Sequence, residues 1–232
     1  MKKSLNSLAM AIPLCLSLNG HALAAPSVSL EAIGTHTTGI FDLGAAEIVA
    51  HDARNQRIFK INAEAATVEV LDINDPGNPT LIGTIDASLL GGGANSVAVY
   101  KDLVAVAIEA SDPQAPGLVA FYDSTDLSLV GTADVGAMPD MLTFTPNGRY
   151  VLVANEGEPD DDYSVDPEGS ITVIDLRRGV YNARTATAGF GAFTSLPAEV
   201  RLPGPRGASI AQDLEPEFIA LSPDGHTAYV VC

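Results

Sequence analysis

Short apolar runs separated by turn residues recur along the chain, and none of them shows the sustained spacing of an amphipathic helix. Four runs begin with a polar residue and continue with apolar residues that do not alternate with polar ones. This pattern is typical of strands that are buried on both faces. We expect each run to be the first strand of a repeated unit. The four runs are Glu47–His51, Ser96–Tyr100, Asp140–Phe144 and Glu217–Leu221.

A second apolar strand is predicted after each of these first strands. Two of the connecting turns, Thr145–Gly148 and Ser222–Gly225, combine a proline, whose φ is fixed, with a glycine that can adopt positive φ. This combination predicts tight hairpins. The predicted second strands are Arg57–Asn62, Leu103–Ala107, Tyr150–Asn155 and the segment from Ala228 to the end.

Third and fourth strands complete the repeat. The third strand ends in aspartate three times, and the fourth contains a Gly-Thr pair twice. A unit of four antiparallel strands is the content of a β-propeller blade. A β-sandwich is the alternative, and the recurrence of all four strand patterns in the same order argues against it. The third strands are Val68–Asp72, Val119–Asp123 and Thr172–Asp175, and the fourth are Leu81–Thr84 and Leu129–Thr132.

The first strands begin 49, 44 and 77 residues apart, and blade repeats run about 40 to 50 residues. The third unit therefore carries about 33 extra residues, which we place at about 177–209 as a surface insertion. We predict an all-β fold, a partial β-propeller with about three and a half four-stranded antiparallel blades over residues 25–232. Because the chain stops inside an apolar run, we expect it to be truncated.

The first 24 residues have the features of a signal peptide. Lys2 and Lys3 precede an apolar stretch of 11 residues that contains Pro13, and Ala22-Leu23-Ala24 is a cleavage pattern. A membrane-spanning helix needs about 20 apolar residues, so we expect export to the periplasm, the cell surface or the exterior, with no transmembrane segment in the mature chain. Cys15 leaves with this segment, and Cys232 cannot form an internal disulfide alone.

The chain is acidic, with a formal net charge of −17. Cleavage after Ala24 would remove two lysines and no acid. Nucleic acid and anionic lipid are therefore disfavoured partners, and the chain favours cations.

Carboxylates are concentrated in the predicted loop between the second and third strands of one blade. The segment Asn155–Glu168 holds seven of them in 14 residues, and in an up-and-down blade this loop emerges on the same face as the starts of the first strands. Calcium takes six to eight oxygen ligands, so we predict a calcium site on this face, near Glu47 and Asp213. A solvated acidic loop without a ligand is the alternative. The candidate metal ligands are Asn155, Glu156, Glu158, Asp160, Asp161, Asp162, Asp166, Glu168, Asp140 and Glu217.

No catalytic motif is visible in the sequence. The histidines lack zinc-site spacing, Ser96 and Ser170 lack a nucleophile elbow, and Gly91-Gly92-Gly93 lacks the lysine of a phosphate loop. We therefore predict no catalytic residue and no cofactor other than calcium. A haem or copper propeller is also disfavoured, because soft ligands are few.

The stretches Met138–Gly148, Val153–Pro159, Asp166–Ser170 and Ala211–Phe218 resemble the exported bacterial family called choice-of-anchor I. That family is similar to mesenchyme-specific cell-surface glycoproteins and to YVTN and WD40-like propellers. The resemblance implies a surface-associated propeller that acts as a binding or structural module for an extracellular or envelope ligand. Some members of the family are described as alkaline phosphatases, so a calcium-dependent phosphoesterase is the alternative function. No phosphatase motif can be identified in this sequence.

Overall fold

A computed structural model describes residues 28–202, 204, 205 and 207–232. All of its strands lie in one compact unit, Ile33–Cys232. The strands of this unit are β1 (Val49–Asp52), β2 (Arg57–Asn62), β3 (Thr67–Asp72), β4 (Thr80–Asp86), β5 (Ala94–Tyr100), β6 (Leu103–Ile108), β7 (Pro116–Asp123), β8 (Leu129–Ala137), β9 (Pro139–Phe144), β10 (Tyr150–Asn155), β11 (Ser170–Asp175), β12 (Arg184–Gly189), β13 (Phe218–Leu221) and β14 (Ala228–Val231).

The strands form three four-stranded antiparallel sheets and one two-stranded sheet, each paired in chain order. We call β1–β4 blade 1, β5–β8 blade 2, β9–β12 blade 3 and β13–β14 the half-blade. The first strands of successive sheets contact one another, as expected for innermost strands around a common axis. The predicted all-β partial propeller, with three and a half blades, is confirmed.

Apolar side chains between neighbouring blades form the core. Phe59 and Ile61 of blade 1 pack against Val104 and Val106 of blade 2, and all four are fully buried. Similar clusters join blade 2 to blade 3 and blade 3 to the half-blade. Burying one such side chain stabilises the fold by about 1.5–3 kcal/mol, so contact between blades holds the arrangement together.

Both predicted tight hairpins are present. Gly148 and Gly225 adopt φ of 66° and 69°, and their backbone N–H groups donate to the carbonyls of Thr145 and Ser222 at 2.8 Å in each case. The positive φ at these positions explains the requirement for glycine.

The predicted insertion at about 177–209 needs correction, because it contains β12, the regular fourth strand of blade 3. All six residues of β12 are exposed, so the strand lacks the apolar pattern by which strands are recognised and is held by backbone pairing with β11. Most of the extra residues lie between β12 and β13, at 190–217.

Helical structure is scarce in the described residues. It consists of α1 (Ile210–Asp213) and two 3₁₀ turns at Ala87–Leu89 and Val180–Asn182. No helix in this part of the chain has the length needed to cross a bilayer. The predicted signal peptide, residues 1–24, lies outside the described residues.

Candidate functional site

The beginnings of the four innermost strands line a shared cavity of about 460 Å³. Acidic side chains enter it from three of the four strands. Blade 1 contributes Glu47, blade 3 contributes Asp140 and the half-blade contributes Glu217, whereas blade 2 contributes the neutral Asn95 and Ser96. The sequence repeat therefore brings together three carboxylates that are far apart in the chain.

A β-bulge sets the position of Asp140. Ala154 pairs with Met141 and Asn155 pairs with Pro139, so Asp140 is the extra residue of β9. Blade 2 has a bulge at the corresponding place, where Asn95 is the extra residue. Bulges redirect a side chain out of the regular alternation of a strand. The register thus aligns Asp140 with Asn95. The sequence repeat indicated Ser96 instead, so that alignment is wrong by one residue.

The carboxyl groups at this end of the blades lie close enough to repel one another. Burial, followed by repulsion from Glu217, Glu158 and Glu47, raises the pKa of Asp140. Burial, followed by repulsion from Asp140, Glu158, Glu215 and Glu217, raises the pKa of Glu156 to about 7. We refer to the six groups that take part as the acidic mouth: Glu47, Asp140, Glu156, Glu158, Glu215 and Glu217.

Glu215 was not among the predicted ligands. Burial raises its pKa, and repulsion by Glu158, Asp166, Asp213 and Glu217 adds to the effect. In the sequence, Glu215 lies in Leu214-Glu215-Pro216-Glu217, immediately before a first strand. This position could have indicated that it belongs with the other carboxylates at the strand starts.

The segment at 190–217 packs against the acidic loop and does not simply project from the surface. Ser209 and Gln212 form a capping box at the start of α1, and Gln212 Nε2 donates to the backbone carbonyl of Asp166 at 2.9 Å. The backbone N–H of Gly169 donates to the carbonyl of Ala211, also at 2.9 Å. These bonds place Asp213 and Glu215 beside the loop.

Other predicted ligands are used within the loop itself. The Asp160 carboxylate accepts hydrogen bonds from Ser164 N at 2.7 Å, Ser164 Oγ at 2.6 Å and Val165 N at 3.1 Å. These bonds hold the pKa of Asp160 below its usual value. Asp161, Asp162 and Glu168 are exposed, and none of them is among the groups that shift the pKa of Asp140 or Glu156. Asp160 therefore shapes the loop, helped by Asp162, whose Oδ1 accepts from Ser164 N at 3.2 Å, and Asp161, Asp162 and Glu168 lie apart from the acidic mouth.

Asp166 lies at the margin of the same region. Burial, followed by repulsion from Asp213 and Asp160, raises the pKa of its carboxyl group. Four of the ten predicted ligands belong to the acidic mouth itself, namely Asp140, Glu156, Glu158 and Glu217.

Asn155 is completely buried at the end of β10. Its Nδ2 donates to Ser170 O, Ser170 Oγ and Thr172 Oγ1 at 3.3, 3.1 and 2.9 Å. Gly136, in strand β8 of the adjacent blade 2, leaves space for the Asn155 side chain. A Cβ at Gly136 would lie 2.7 Å from Asn155 Cβ. Asn155 is therefore a fixed part of the structure beside the acidic mouth.

The carboxylates of the mouth are clustered but do not form a closed metal cage. Among the described residues, no group of three or more His, Cys, Asp or Glu side chains is arranged to hold an ion. The calcium site remains a prediction, as does the phosphoesterase alternative.

Comparisons with known proteins agree with this architecture. A model of the choice-of-anchor I domain matches residues 47–232, which confirms the predicted family. A crystal structure of a protein from Lactobacillus plantarum is similar over 80% of this chain and 50% of its own, at 21% identity and a TM-score of 0.56. A chain of the Mitotic Checkpoint Complex is similar over 79% of this chain and 44% of its own, at 14% identity and a TM-score of 0.53.

At these identities the two structures show the fold alone. The chain spans about half the length of each of them. A comparison of the sequence with curated proteins finds no match.

Proposed function

Because the chain belongs to the choice-of-anchor I domain family, we propose that it is an exported, surface-associated β-propeller that binds a cationic ligand, calcium in the first place, at its acidic mouth. Blades supply a rigid support, and the ends of the strands and the loops supply the binding groups. The proposed role is that of a binding or structural module in the cell envelope or outside the cell.

One observation carries the proposal of a cation. Asp140, Glu156 and Glu217 come from separate parts of the chain, and the charges that raise the pKa values of Asp140 and Glu156 are all other carboxylates. A divalent cation would relieve this repulsion, and carboxylate oxygens are the ligands that calcium prefers. The overall charge of −17 adds a long-range attraction for cations.

A phosphoesterase would use the same carboxylates to hold its metal ions. No contact among the described residues favours that activity over binding alone, and the proposal does not include it.

Calcium titration of the full chain by calorimetry, at pH 7.5 in chelator-treated buffer, tests the proposal. We expect saturable binding and a melting temperature that rises with calcium concentration. The double variant Asp140→Asn/Glu156→Gln should lose this binding. Asp162→Asn is the matched control, because Asp162 is an exposed acid of the same loop outside the mouth, and it should bind as the unmodified chain does. Absence of calcium binding in the unmodified chain would overturn the proposal.

A further inference from the structure

A second cavity, of about 330 Å³, lies at the outer rim between blades 1 and 2. None of the six groups of the acidic mouth lines it. Ligand pockets in proteins have volumes of roughly 300–1,000 Å³ and mostly apolar walls with a few polar groups. This cavity has that composition. Thr84, Asp86 and Tyr122 supply the polar groups, and the apolar walls are Ile85, Leu89, Leu90, Leu127 and Leu129.

The blade 1 wall includes the 3₁₀ turn Ala87–Leu89, which follows β4. Asp86 caps this turn, because its Oδ1 accepts hydrogen bonds from the backbone N–H and the hydroxyl of Ser88 at 3.0 and 2.6 Å. Its second carboxylate oxygen, Oδ2, has no hydrogen-bond donor among the described residues. Leu89 lines the cavity and is 79% exposed, so it lies at the opening.

Strands β7 and β8 form the opposite wall. Tyr122 pairs with Leu129 in strand register, so both side chains lie on the same face of blade 2, and Tyr122 belongs to the core between blades 1 and 2. Leu127 adopts a φ of 61°, which is uncommon for a residue other than glycine. Its side chain reaches blade 1, where a Cβ at Gly83 would lie 2.7 Å from Leu127 Cδ1. Packing between the two blades therefore fixes this wall.

The hydroxyl of Tyr122 makes no hydrogen bond with any described residue. Tyr122 is only 6% exposed and lines the cavity. Burial, followed by the charge of Asp86, raises the pKa of Tyr122, which shows that the phenol lies in the field of this carboxylate. Buried polar groups in proteins almost always have a hydrogen-bond partner. The partner of this hydroxyl is therefore a molecule that enters the cavity.

The next junction between blades shows that the fold does not require these polar groups. In strand register, Tyr122 corresponds to Ile174 of blade 3, and Leu129 corresponds to Thr185. Ile174 is fully buried in the core between blades 2 and 3 and has no polar side-chain atom. The turn after β4 also has no counterpart after β8, because a single residue separates β8 from β9.

We propose that this cavity binds a small amphiphilic cation, a molecule with an apolar body and an ammonium group. The apolar walls hold the body, Asp86 pairs with the ammonium group, and the hydroxyl of Tyr122 accepts a hydrogen bond from it. The carboxylate at the cavity favours a cationic head group over a neutral or anionic one on the same apolar body. The inference is independent of the proposed function, since it concerns a different cavity.

The test uses hexylammonium as the probe and compares it with hexanol and hexanoate, which have a similar apolar body. Each is added to the full chain labelled with ¹³C at the leucine methyl groups, at about 150 mM salt to screen general charge attraction. We expect hexylammonium to shift the methyl resonances of Leu127 and Leu129 saturably, in roughly the millimolar range. Hexanol should bind more weakly, and hexanoate should leave these resonances in place.

Two variants test the polar groups. Asp86→Asn keeps a side chain that caps the turn and should weaken hexylammonium binding about fivefold. Tyr122→Phe removes only the hydroxyl and should weaken binding about threefold. Asp134→Asn is the matched control, because Asp134 is the exposed residue of blade 2 that corresponds to Asp86. It should change the affinity less than about 1.5-fold.

The proposal is wrong if hexylammonium leaves the two leucine resonances unchanged, or if all three probes shift them at the same concentrations. Equal losses in Asp86→Asn and Asp134→Asn would overturn it too, because they would assign the effect to overall charge. So would an unchanged affinity in both Asp86→Asn and Tyr122→Phe. Circular dichroism checks the fold of each variant, and the comparison of the three probes needs only the unmodified chain.

Discussion

Lys60 and Glu69 face each other across β2 and β3 and form an ion pair with an Nζ–Oε2 distance of 2.8 Å and only 12% of each side chain exposed. Although burial opposes ionisation of Glu69, hydrogen bonds from Lys60 and Asn62 lower its pKa. In strand register the corresponding residues of blade 2 are Val106 and Ala120, which belong to the apolar core between blades 1 and 2. Blade 1 thus carries a charged pair where blade 2 carries apolar contacts.

Removing one partner of this pair should cost far more than removing both. We expect Lys60→Met to lower the free energy of unfolding by about 3 kcal/mol, because it leaves Glu69 buried without its cation. The double variant Lys60→Met/Glu69→Leu should recover most of the loss. Urea unfolding curves of the two variants provide the measurement, and a double variant no more stable than Lys60→Met would contradict this account.

The acidic mouth should make the protein less stable as the pH rises from about 4.5 to above 7. The pKa of Glu156 is about 7 in the folded chain, against 4.5 for the unperturbed group. Between these values the folded chain keeps a proton that the unfolded chain has lost, so the folded state loses relative stability as the pH increases. In calcium-free buffer, we expect the melting temperature at pH 8 to lie about 2–6 °C below that at pH 5.5.

Glu156→Gln is the control for this pH dependence, since it removes the titrating group and should flatten the profile over the same window. Carboxyl groups with lowered pKa values, such as Asp175 at about 2, act below pH 4 and leave this window unaffected. A pH profile that is equally steep in Glu156→Gln would assign the effect to another group.

Gly169 should be required for the contact between the 190–217 segment and blade 3. A Cβ at this position would lie 2.0 Å from the carbonyl oxygen of Leu214 and 2.8 Å from Cδ of Pro216. We expect Gly169→Ala to lower the free energy of unfolding by about 1–3 kcal/mol and to weaken calcium binding, because it displaces Glu215. Gly189→Ala is the matched control, since nothing lies within 4 Å of a Cβ there, and it should stay within about 0.5 kcal/mol. Equal losses in the two variants would argue against this packing.

Arg57 should contribute more to the junction of blades 1 and 2 than its neighbour Arg54. The Arg57 guanidinium donates to the backbone carbonyls of Ser124 and Thr125, which lie in the turn between β7 and β8. Arg54 forms an ion pair with Asp102 at 2.8 Å, with 62% and 57% of the two side chains exposed. We expect Arg57→Ala to cost about 1–2 kcal/mol and Arg54→Ala less than about 0.5 kcal/mol in chemical unfolding. A larger loss for Arg54→Ala would reverse this ranking.

The strands that face the core could be predicted from the sequence because burial dictates their composition. The bounds of β2 and β10 were predicted to the residue, since an apolar run ends there at a polar residue. The outermost strand β12 was missed because all its residues are exposed and its pairing depends on backbone groups.

The acidic mouth was predictable in outline but not in membership. The repeat places Asp140 and Glu217 at equivalent strand starts, so their proximity follows from the fold. The proximity of Glu215 to this group depends on how the 190–217 segment packs, and the local role of Asp160 depends on the hydrogen bonds of one turn. Neither depends on a sequence period, and periodicity therefore could not reveal them.

We expect the two ends of blades 1 and 2 to respond to salt in opposite ways. At the end that carries the β1–β2 and β5–β6 turns, Arg54 of blade 1 and Asp102 of blade 2 form an exposed ion pair, and dissolved ions weaken such an attraction. At the opposite end, where Glu47 lies among other carboxylates, the same ions weaken repulsion. We therefore expect higher ionic strength to weaken a small attraction at one end of the blades and to reduce the repulsion between carboxylates at the other.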